Sequence, residues 1–77
     1  MRELVEFITR ALVADPDSVR VDELDDDGET VLEVRVAQDD LGRVIGRSGR
    51  VANAIRTVAK AAATREDRRV LVEIIDD

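Results

Sequence analysis

Nine consecutive residues, Gly42 to Arg50 (GRVIGRSGR), hold three of the four glycines of the 77-residue chain together with Arg43, Arg47 and Arg50. Within them, Gly46-Arg47-Ser48-Gly49 is a glycine-bounded turn. Glycine at both ends lets the chain reverse sharply and leaves no Cβ to hold a ligand off the backbone. A helix starting at this point presents unpaired N–H groups and the positive end of its dipole, which favour an anion. Arg47 and Arg50 add positive charge and Ser48 a hydroxyl donor, so the chemistry on offer is phosphate binding. The alternative is a helix C-cap glycine in a tight turn between two helices, which needs no ligand. The spacing excludes the familiar nucleotide loops: the glycines do not form G-x-G-x-x-G, and no Gly-Lys-Ser/Thr is present.

Charge distribution favours the binding reading. The formal net charge is -6, which on average repels phosphate. Yet from Leu41 to Arg65 there are six basic residues (Arg43, Arg47, Arg50, Arg56, Lys60, Arg65) and no acid. The remainder of the chain carries the other six basic residues and all eighteen acids. A positive segment is thus embedded in a negative body, and the local field decides what a cleft attracts.

Composition removes several other chemistries. The chain has no Cys and no His, so disulfides, thiolate or imidazole metal sites and imidazole-activated nucleophiles are excluded. Phe7 is the sole aromatic residue, which leaves no platform of rings for stacking bases. Hydrophobic residues are 44% and charged residues 39%, the balance of a folded globular domain. At this length one domain, 1–77, is expected. Acids within MRELVEFITR and the lack of a long apolar run predict neither signal peptide nor membrane span, and a cytoplasmic setting.

The elements that must position the turn follow from periodicity. Residues 2–14 place Leu4, Ile8, Ala11 and Leu12 on one helical face before Asp15-Pro16. Alternation from Ser18 to Leu24 and again in TVLEVRVA, about DDDGE, predicts a β-hairpin turning at Asp-Gly. Asp39 and Asp40 are candidate caps for a short helix ending before Gly46. A longer helix from after Gly49 to about Thr64 is expected to bury Val51, Ile55, Val58 and Ala62. After a polar loop, VLVEII forms the last strand. The order α-β-β-α-α-β implies an α+β fold: an antiparallel hairpin, a parallel third strand reached by a helical crossover, and three helices on one face of the mixed sheet. Val31, Leu71 and Ile75 are expected on its open face.

GRVIGRSGR followed by VANAIRTVAKAAA, in this element order, resembles a type II KH domain of the small single-domain bacterial KhpA kind. The resemblance covers essentially the whole chain and is most specific from Leu41 to Ala63. It implies a non-catalytic single-stranded RNA-binding protein, an RNA chaperone or post-transcriptional regulator, that clamps about four nucleotides of backbone at a G-x-x-G loop. Carried onto this sequence, Gly46, Arg47, Ser48 and Gly49 form the clamp, and Arg43 and Arg50 flank it. Val44, Ile45, Val51 and Ile55 line an apolar floor, with the last strand and Arg65 and Arg68 opposite. The partners it implies are RNA, a second copy and a larger KhpB (Jag)-type protein. No cofactor or metal is expected.

Two rival readings are weaker. If Glu23, Asp25 and Asp27 took positions 1, 3 and 5 of a calcium loop, the required glutamate position would be Val34. The pair Asp39 and Asp40 shows no substrate cleft for acid–base work. A protein-interaction adaptor using the acidic surface or the open sheet face is the alternative function.

Overall fold

The computed structural model describes residues 1–76. Helix α1 spans Arg2–Leu12, strand β1 Arg20–Asp26, strand β2 Glu29–Arg35, helix α2 Leu41–Ile45, helix α3 Arg50–Arg65 and strand β3 Arg69–Ile74. Short 3₁₀ turns precede β1, α2 and α3. The sheet order is β1-β2-β3, with β1 antiparallel and β3 parallel to the central strand. This is the mixed sheet that the order of elements predicts. The hairpin turns at Asp27 and Gly28, whose φ values of 51° and 82° are both positive. That is the requirement of the two-residue turn matching the strands' twist, and it explains why Asp-Gly occupies it.

One face of the sheet is dry. Val21, Leu32, Val34 and Val72 point from it into a core completed by Val5, Val19, Ile55 and Ala59. Burying a Val or Leu side chain contributes about 1.5–3 kcal/mol, so the four strand aliphatics and the bulky Val5, Val19 and Ile55 that face them share in holding this small core.

Both long helices are rotated relative to their expected faces. In α1 the buried residues are Val5 and Thr9, while Ala11 and Leu12 are exposed. Thr9 can be buried because its Oγ1 donates to the Val5 carbonyl at 2.7 Å, satisfying the hydroxyl within the helix. In α3 the core stripe is Ala52, Ile55, Ala59 and Ala63, with Val51 only half-buried and Val58 exposed. Alanines toward the sheet let the helix axis approach closely, and the bulkier valines turn toward α1.

The cap expected from Asp39 and Asp40 is absent, since neither side chain hydrogen-bonds the start of α2. Asp40 points inward instead, 2% exposed. Its two oxygens accept the Ala14 and Asp15 N–H groups at 3.0 and 3.1 Å. Arg43 Nε completes the carboxylate's shell at 3.0 Å. A buried acid thereby ties the segment after α1 to the start of α2.

Candidate functional site

The turn between α2 and α3 is built from three consecutive backbone devices. Gly46 closes α2 by donating its N–H to the Gly42 carbonyl at 2.9 Å. It sits at φ 75°, ψ 173°, a region essentially confined to glycine. A Cβ there would stand 2.4 Å from Val51 Cγ2 and 2.9 Å from the Val51 backbone nitrogen. Ser48 (φ 57°, ψ 26°) and Gly49 (φ 76°, ψ 14°) are both left-handed, and the reversal is complete at Arg50.

Helix α3 begins without a side-chain cap and without an acid in its first turn. While the Gly49 and Arg50 N–H groups are engaged by the Gly46 and Arg47 carbonyls, the positive end of this 16-residue helix lies beside exposed Arg47, Ser48 and Arg50. These are the components of an anion site.

The ion pairs sharpen the charge argument. Among the described residues, the basic side chains outside 41–65 are neutralised with one exception. Arg2 and Arg10 pair with acids of α1, Arg20 and Arg35 with Asp22, and Arg68 with Asp25; only Arg69 lacks an acidic partner. Inside 41–65 the pattern reverses: Arg43 is paired, whereas Arg47, Arg50, Arg56, Lys60 and Arg65 are not. Uncompensated positive charge is concentrated on the turn and α3.

Gly46, Arg47, Ser48, Gly49 and Arg50 thus come together as one surface. Arg43 stands one helical turn back, held by Asp40. The expected apolar floor is largely corrected. Val44 is fully buried and Ile55 nearly so, hence both support the surface from behind. Ile45, 39% exposed, presents side-chain area next to the turn. Val51 lines a groove between α1 and α3 with Ile8, Leu12, Ala54, Ile55 and Val58, and Arg50 of the turn surface belongs to the same lining. Arg68 turns away to the hairpin end, where Nη2 donates to Thr30 Oγ1 at 3.3 Å.

The flank of α3 toward β3 carries residues absent from the expected set. Arg56 Nε donates to the Val72 carbonyl at 3.1 Å and Nη1 to Asn53 Oδ1 at 3.2 Å. The N–H of Ile75 donates to Val34, so odd-numbered β3 residues aim at β2. Even-numbered Val72 therefore aims its carbonyl at the strand's free edge, where Arg56 meets it. Asn53, Arg56 and exposed Lys60 form a polar wall leading from the turn along that edge. Their signal was in the sequence, in the same acid-free run. Apolar periodicity pointed to the other flank.

Comparison with known proteins adds relatives of nearly identical length. The sequence profile of the family described as KhpA/KhpB, KH domain, matches residues 2–74. The RNA-binding protein KhpA of Halalkalibacterium halodurans is 53% identical over 76 residues, covering 99% of this chain and all of the relative. That of Clostridium acetobutylicum is 52% identical over 75 residues, 97% of this chain and all of the relative. That of Aquifex aeolicus is 38% identical over 76 residues, 99% of this chain and 96% of the relative. No solved structure matches the chain.

Proposed function

This chain belongs to the KhpA/KhpB KH domain family, and from that premise we propose that it is a non-catalytic, cytoplasmic protein that binds single-stranded RNA at the turn Gly46–Gly49. The observation that carries this reading is the set of unpaired cations around the uncapped start of α3. Phosphates of about four nucleotides lie over the turn, the span a KH loop clamps. They accept from the side chains of Ser48, Arg47 and Arg50 and lie against the positive end of α3. Bases run from Ile45 along the wall of Asn53, Arg56 and Lys60, held by van der Waals contact and edge hydrogen bonds rather than by rings. One KH unit spans the chain, and its cellular role is that of an RNA chaperone or post-transcriptional regulator.

A single turn neutralises few phosphates, so binding gains from a second site. The groove of Ile8, Leu12, Val51, Ala54 and Val58 supports self-association. A KhpB-type protein, whose KH domain shares the family profile's name, is the heterologous partner of the same proposal.

The test is fluorescence anisotropy with a labelled single-stranded RNA, comparing the natural chain with Arg47→Asp/Ser48→Asp. Both side chains are exposed, so circular dichroism should be unchanged while affinity falls at least about tenfold, or 1.4 kcal/mol. Equal affinity of the two proteins refutes the clamp.

A further inference from the structure

The outer face of the sheet, opposite the helices, is organised in rows that the strand register defines. Leu24, Val31 and Leu71 stand side by side across all three strands. Leu24 is 48% and Leu71 42% exposed, so this apolar bar faces water. The next row on one side is Asp22, Glu33 and Glu73, three carboxylates abreast. On the other side stand Asp26, Glu29 and Arg69. Beyond the carboxylate row lie Arg20 and Arg35, which pair with Asp22; Arg35 also reaches Glu33. Among the described residues Asp26, Glu29 and Glu73 have no ion-pair partner. The bar is therefore flanked on each side by acid without such a partner: Glu73 in one row, Asp26 and Glu29 in the other.

We propose that this face docks a basic amphipathic helix of a partner protein, with leucine-like residues on the Leu24–Val31–Leu71 bar and Lys or Arg reaching the acidic rows. The dimensions agree. Strands lie about 4.8 Å apart and a helical turn rises 5.4 Å, so apolar residues one turn apart fall on successive strands. Rows on one face of a strand are about 6.7 Å apart, which places both acidic rows just outside a helix about 10 Å wide, within reach of its Lys or Arg side chains. Charge rejects the other occupants. A second copy stacked bar to bar by a two-fold axis sets the Asp22–Glu33–Glu73 row against itself or against Asp26–Glu29–Arg69. RNA and anionic lipid meet the same repulsion. The inference is independent of the RNA site, which lies on the helix layer.

The test is an NMR titration of the isotopically labelled full chain with a helical peptide of about 14 residues patterned from Leu and Lys. Its counterpart with Glu in place of Lys is the control. The Lys peptide should shift the amides of Leu24, Val31 and Leu71, and the Glu peptide should not. Glu73→Lys and Leu71→Ser, each altering an exposed side chain, should each weaken the Lys peptide at least about fivefold with thermal unfolding unchanged. Equal binding of the two peptides, or shifts centred on Ile8 and Val58 in the α1–α3 groove, overturns the proposal. Indifference of affinity to both substitutions does so equally.

Discussion

One methyl group distinguishes the two glycines that bound the turn. At Gly49 the left-handed backbone disfavours a side chain, but no atom lies within 4 Å of the place a Cβ would take. At Gly46 the backbone is in glycine-only territory and the Cβ position is already filled by Val51. Gly49→Ala should therefore cost about 1 kcal/mol, the ordinary penalty of a left-handed residue. Gly46→Ala should cost at least about 2–3 kcal/mol, because strain and overlap add and the overlap involves backbone. Urea unfolding of the two variants checks the order; equal destabilisation contradicts the geometry. Sequence alone marks both glycines and ranks neither, since the difference rests on where the first turn of α3 sits. Ser48 is similar: its hydroxyl is legible as a donor, its left-handed backbone is not.

At the scale of elements, the strands and the hairpin were readable because β alternation has only two faces and Asp-Gly names its own turn. Helix faces were less so. A stripe read from apolar residues excludes a threonine that buries itself by bonding its own helix, and it undervalues alanine, so α1 and α3 were each set one residue away from their true orientation. Hence apolar periodicity places Val51 on the floor beside the turn although it lines the α1–α3 groove, and it passes over Arg56, whose guanidinium reaches β3. Asp40 shows the same limit. Its type and position suggested a local helix cap, while its carboxylate serves backbone groups 25 and 26 residues away, a partnership that no local rule contains. Asp40→Ala should strand the Ala14 and Asp15 N–H groups and cost about 2–3 kcal/mol, lowering the melting temperature by about 10 °C or more for a domain of this size. Asp40→Asn, which keeps one acceptor, should lose less. A calorimetric scan showing Asp40→Ala as stable as the natural chain removes the tie between α1 and α2.

Across the whole molecule, acids and bases are segregated so that one edge is positive and the rest negative. Such a field attracts a polyanion toward the turn and α3 and repels it from the acidic remainder, which favours specificity of placement over affinity. With about three or four phosphates neutralised per turn, the salt slope of a lone copy should be about -2 to -3 in log affinity against log salt, at -0.7 per single-strand contact. If two copies join through the α1–α3 groove and hold one RNA, the second clamp acts at an effective concentration near the millimolar range and the slope should roughly double. Val58, 44% exposed within that groove, separates the cases: Val58→Asp introduces charge into the proposed contact, and because Arg50 lines the same groove, affinity for a short RNA that only one clamp can hold must be unchanged in the variant. Sedimentation at rising concentration should show dimer for the natural chain and monomer for the variant. The variant's slope on a long single strand should return to that of one clamp. A natural chain that stays monomeric at every concentration, or a slope that Val58→Asp does not change, shows that the molecule works as a single clamp and that its weak, oriented field is all it brings to RNA.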